Sequence, residues 1–80
     1  MLLKPITSEK AVKMIDLDNS LLFELERKYN KIEIKKEVES VFSVKVDSVR
    51  TMIRGNKKYA YVKLKKENLA ADVATKLGVI

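Results

Sequence analysis

Eighty residues make one small domain, residues 1–80, that buries only about 60–65% of its unfolded surface, so a deep catalytic cleft is disfavoured. Cysteine and histidine are both absent, which excludes disulfides, thiolate metal sites, the usual triads and most transition-metal ligation. Charged residues are 35% of the chain and the net charge is +6, the electrostatic signature of a polyanion partner.

The predicted elements begin after Pro5. Thr7 and Ser8 precede Glu9, and Ala11, Met14 and Ile15 recur at helical spacing, which predicts a short hydroxyl-capped helix stopping near Asp16. Asp18, Asn19 and Ser20 read as turn formers. Asp16-x-Asp18-x-Ser20 superficially matches a calcium loop, but Leu21 and Arg27 stand where glycine and glutamate belong, so it also reads as a turn. Leu21, Phe23 and Leu25 then alternate with Leu22, Glu24 and Glu26, the period of a half-buried strand, with both glutamates read as a solvated edge.

Asn30 followed by Glu33 resembles a capping box, and Ile34, Val38, Val41 and Phe42 share one face of a second helix. Two further strands are predicted over 46–54 and 58–64, joined at Gly55-Asn56, a two-residue hairpin signal. Pairing Arg54 with Lys57 sets Met52 opposite Tyr59, Thr51 opposite Ala60, Arg50 opposite Tyr61 and Val49 opposite Val62. One face then reads Val49, Thr51, Ala60, Val62 and Leu64; the other reads Arg50, Met52, Arg54, Lys57, Tyr59, Tyr61 and Lys63. A slip of one residue would scramble both sets. Asn68 is the expected cap of a last helix lined by Leu69, Ala70, Val73, Ala74 and Leu77, with Gly78 just past its end.

The order helix, strand, helix, strand, strand, helix predicts an α+β domain. We expect a split β-α-β, ferredoxin-like unit: a three-stranded antiparallel sheet of order 1-3-2 with the helices on one face. The opposite face would then present tyrosines for base stacking and cations for phosphates, the combination that irregular RNA requires. Charge partition favours this over a merely solvated surface. Residues 45–66 hold eight basic groups against Asp47 alone, whereas the rest of the chain holds nine basic and ten acidic groups. No segment reaches the roughly 18 apolar residues of a membrane span, so neither insertion nor export is expected.

Several stretches together resemble a known family. They are Pro5-Ile6-Thr7-Ser8-Glu9-Lys10, residues 31–42, Val44-Lys45-Val46, Val49-x-Thr51 and Lys58-x-Ala60-Tyr61-Val62. In this order they are similar to the twenty-third protein of the large ribosomal subunit, and residues 71–78 are similar to its archaeal branch. The resemblance implies a non-enzymatic constituent of the cytoplasmic ribosome, without cofactor or metal, that binds large-subunit ribosomal RNA near the polypeptide exit beside neighbouring ribosomal proteins. The candidate RNA-binding residues are Lys4, Lys10, Arg50, Thr51, Met52, Arg54, Lys57, Lys58, Tyr59, Tyr61 and Lys63. Glu9 occupies the position used for factor docking, with the signal recognition particle and the nascent-chain-associated complex as expected visitors. The tight hairpin departs from bacterial relatives, which carry a long tunnel-reaching extension there. A free-standing RNA-binding module and a protein-interaction module with Tyr59 and Tyr61 as anchors are the alternatives.

Overall fold

In the computed structural model, which describes residues 1–78, the elements are β1 (Lys4–Pro5), α1 (Glu9–Asp18), β2 (Ser20–Glu26), α2 (Lys31–Phe42), β3 (Val46–Arg54), β4 (Lys57–Leu64) and α3 (Ala70–Leu77). The strands form one antiparallel sheet in the order β1-β2-β4-β3. The three-stranded expectation is thereby corrected. The three longer strands keep their expected neighbours, and a fourth pairs Lys4 with Glu24 and Pro5 with Phe23. Proline has no N–H for a ladder and is confined to sheet edges, which fits the place of β1, and a strand of 2 residues is too short to show a period.

Helix α1 starts where a hydroxyl accepts an orphan donor: the Ala11 N–H donates to Ser8 Oγ at 3.2 Å. It runs through Asp18 instead of stopping near Asp16, so both aspartates are helical and not in a turn. The turn is made by Asn19 alone, in the left-handed region at φ 51°. Helix α2 carries the capping box in full: the Glu33 N–H donates to Asn30 Oδ1 at 2.9 Å, and the Asn30 N–H to Glu33 Oε1 at 3.0 Å.

The start of α3 corrects the sequence reading. Leu69 occupies the cap position without a side-chain bond, and it is exposed where an inward position was expected. Asn68 instead accepts the Lys45 N–H on Oδ1 at 2.7 Å. The first N–H of the helix, on Ala70, donates to Oδ1 of Asn19, far away in sequence, at 2.7 Å. Gly78 ends the helix at φ 77°, as expected.

The hairpin register is the expected one at every pair from Val49–Val62 to Arg54–Lys57. Gly55 has φ 63° and Asn56 is not among the positive-φ residues, the pattern of a type II′ turn with glycine first. At the other end, the register shifts between Val46 and Ser48, a bulge around Asp47. That extra residue turns Val46 inward, where it is fully buried. One core holds Phe23, Ile34, Val38, Val46, Val62 and Val73, with the Phe23 and Phe42 rings stacked 6.1 Å apart.

Helices α2 and α3 cover the sheet face that carries Phe23, Ala60 and Val62. Helix α1 departs from the one-face expectation. It gives Ile15 to that core, yet its Lys10, Met14 and Asp18 line a hollow with Arg50 and Tyr61 of the opposite face. It thus sits at the end of the sheet and touches both sides.

Candidate nucleic-acid interface

Strand alternation decides which side chains share the outward face. Along β4 these are Lys57, Tyr59, Tyr61 and Lys63, and along β3 Arg50, Met52 and Arg54. The ladder to β2 adds Leu22 beside Tyr61, Glu24 beside Tyr59 and Glu26 beside Lys57, and β1 adds Lys4 beside Glu24. Five cations therefore share the face with two carboxylates. Glu24 does not lie at an edge, because β1 pairs with β2 there, whereas Glu26 lies beyond the end of β1 and is exposed as expected.

The aromatic and cationic groups are coupled. The Arg50 guanidinium lies 5.6 Å from the Tyr61 ring centre, a cation–π contact between directly opposed residues. Tyr59 is half-buried and its hydroxyl donates to Glu24 Oε1 at 3.3 Å. Lys4 reaches the other oxygen of Glu24 at 4.0 Å. Met52, beside Tyr59 on the same face, is 37% exposed.

Beside Arg50 and Tyr61 the sheet meets the end of α1. A hollow of about 450 Å³ is lined there by Lys10, Met14, Asp18, Arg50, Thr51 and Tyr61. A second of about 300 Å³ adjoins it, lined by Asp18, Ser20, Ser48, Arg50, Tyr61 and Lys63. Among the described residues, no group of acidic side chains is arranged to hold a metal ion, and no helix is long and apolar enough to cross a membrane.

Ten of the eleven sequence-named RNA residues thus lie on or beside this face. Lys58 does not. It alternates to the core side with Ala60 and Val62, and its ammonium donates to the Tyr29 carbonyl, holding the turn between β2 and α2. Thr51 also belongs to the core side by alternation and is half-buried; it reaches the interface only as a wall of the larger hollow. Glu9 stands apart in the first turn of α1, exposed, 3.6 Å from Lys13.

Sequence reasoning missed Asp18, Ser48 and the outward role of Glu24. The alternation of β2 did place Glu24 opposite Phe23 in facing, and the strand order then sets it beside the tyrosines; that signal was available. The approach of α1 to Arg50 had no signal in the sequence, because it depends on where the helix is carried by its connections.

This geometry belongs to a chain whose residues 1–69 match the family model of ribosomal protein L23. The chain belongs to the ribosomal protein L23 family. It is therefore a protein of the large ribosomal subunit, a component of the ribonucleoprotein that carries out translation. The match spans β1 to β4 and ends at Leu69, just before α3.

Proposed function

We propose that this family member is a non-enzymatic constituent that binds large-subunit ribosomal RNA through the outward sheet face, near the polypeptide exit of cytoplasmic ribosomes. Neighbouring ribosomal proteins would adjoin it, and its exposed Glu9 would serve factors that meet the nascent chain, among them the signal recognition particle and the nascent-chain-associated complex. In this reading the fold is a ferredoxin-like split β-α-β unit with β1 added at one edge.

The observation that carries the RNA assignment is the grouping of Arg50, Arg54, Lys57 and Lys63 with Tyr59 and Tyr61 on one sheet face. Phosphates need the cations and unpaired bases need the aromatic and guanidinium planes. Replacing Arg50, Arg54 and Lys57 together by glutamine tests it. The slope of log K against log salt for ribosomal RNA should flatten by roughly 2 to 3, at about 0.7–0.9 per lost phosphate contact. An unchanged slope would remove this face as the RNA surface, and absence of the protein from sedimented large subunits would defeat the ribosomal placement itself.

A further inference from the structure

Beside this face, and apart from Glu24 and Glu26 on the sheet itself, α1 supplies one carboxylate that has no use in phosphate binding. Asp18 stands where the two hollows meet, with Arg50 and Tyr61 common to both, Lys10 in the larger and Lys63 in the smaller. Its carboxylate forms no ion pair among the described residues, although three cations line the same space. It is also badly placed for the helix. It is the last residue of α1, whose last turn holds no basic residue, so the helix dipole disfavours it. A carboxylate that lowers phosphate affinity and opposes the dipole is explained if it accepts hydrogen bonds from a base.

We propose that this cleft receives an unpaired guanine, stacked on the Arg50–Tyr61 pair with its Watson–Crick edge against Asp18. The inference rests on the reading that this face binds RNA, and it names what the cleft selects. A carboxylate offers two parallel acceptors, and guanine alone among the four RNA bases presents two adjacent donors on that edge, N1–H and the N2 amino group. Adenine and cytosine present one amino group beside an acceptor nitrogen. Uracil presents one imino group between two carbonyls. Each of these sets an acceptor against the carboxylate, which repels it. The guanidinium, held over the tyrosine ring, leaves its outer plane for the base. Lys10, in the larger hollow, and Lys63, in the smaller, then take the phosphates on either side.

The test uses the whole chain and fluorescein-labelled hexameric RNAs, uridine throughout except for one central guanosine, adenosine, cytidine or inosine. Anisotropy titrations at two salt concentrations should show the guanosine hexamer bound about five- to tenfold more tightly than the others, the low end for a bidentate base contact in an open site. Inosine, which lacks the N2 amino group, should lose most of that gain. The variant D18N, which keeps one acceptor but adds a donor facing guanine's donors, should bring the preference below about twofold. Because that change removes a dipole-opposed charge from an exposed position, the fold should be unharmed, which circular dichroism checks. Equal binding of all four hexamers with a steep salt dependence, or an undiminished guanine preference in D18N, overturns the guanine site while the RNA reading stands. No salt-dependent binding of any hexamer overturns both.

Discussion

Replacing Asn19 should cost this domain more stability than any other single polar change outside the core. Asn19 sits between α1 and β2 at φ 51° and ψ 41°. Its amide group donates to the carbonyls of Asn68 at 2.8 Å, Leu64 at 3.3 Å and Lys65 at 3.4 Å, and its Oδ1 accepts the Ala70 N–H at 2.7 Å. One side chain thus ties the α1–β2 junction to the β4–α3 junction and caps α3, whose own cap residue has no side-chain bond. Losing the short bond to the Asn68 carbonyl costs about 1 kcal/mol, and stranding the partly buried Ala70 N–H costs about 1–2 kcal/mol. Asn19→Gly, which keeps the backbone free to stay left-handed, should therefore destabilise by about 2–3 kcal/mol. Asn19→Ala should lose a further 1 kcal/mol or so, the net of left-handed strain against a stiffer unfolded chain. At about 4–8 °C per kcal/mol for a domain of this size, the glycine variant should melt roughly 10–20 °C lower. Urea and thermal unfolding followed by circular dichroism measure both. A loss below about 0.5 kcal/mol in Asn19→Gly would refute the capping argument, and equal losses in the two variants would refute the backbone one.

Lys58→Met should destabilise by about 1–2 kcal/mol, the lower range for a charged hydrogen bond at a half-buried site, while leaving the salt slope of RNA binding unchanged. A flattened slope would return Lys58 to the RNA surface. Gly55→Ala should lower the melting temperature by several degrees through backbone strain alone, about 1 kcal/mol, since an added Cβ meets nothing within 4 Å. If the alanine variant melted with the parent, the hairpin turn would not depend on its positive φ.

What the sequence disclosed follows from where its signals are local. The capping box of α2 and the hairpin register both rest on residues a few positions apart, and both are present as read. Facing was legible wherever period 2 ran unbroken, as from Val49 to Leu64. It does not extend to Val46, which those faces left unassigned, because a bulge shifts parity by one and Asp47 carries no mark of being the extra residue. The capping of α3 was misread for a related reason. Asn68 had the right chemistry at the right spacing, but a competing donor on Lys45 takes its oxygen, and the helix accepts a cap from Asn19 instead. Lys58 followed the same logic in reverse. Its charge suggested solvent, while its alternation placed it inward, and the alternation held because a carbonyl was within reach.

The charge count along residues 45–66 also needs the sheet before it means anything spatial. Folding brings Glu24 and Glu26 of β2 against Tyr59 and Lys57 of β4, so the face is graded and not uniformly cationic. Glu24 engages both Lys4 and the Tyr59 hydroxyl, which ties those two groups to a protein carboxylate. Arg50 and Arg54 lie on β3, two strands from β2. At a strand spacing of about 4.8 Å that separation is roughly 9.6 Å, slightly more than a Debye length of about 8 Å at physiological salt. The exposed Glu26 is therefore largely screened from the cations of β3, while the less exposed Glu24 is already engaged by Lys4 and Tyr59. A polyanion crossing this sheet would be drawn along the β3 and β4 side, from the Arg54–Lys57 turn toward Arg50, and would arrive at the hollows against α1. The acidic neighbours thus do not cancel the attraction of the face; they give it a direction.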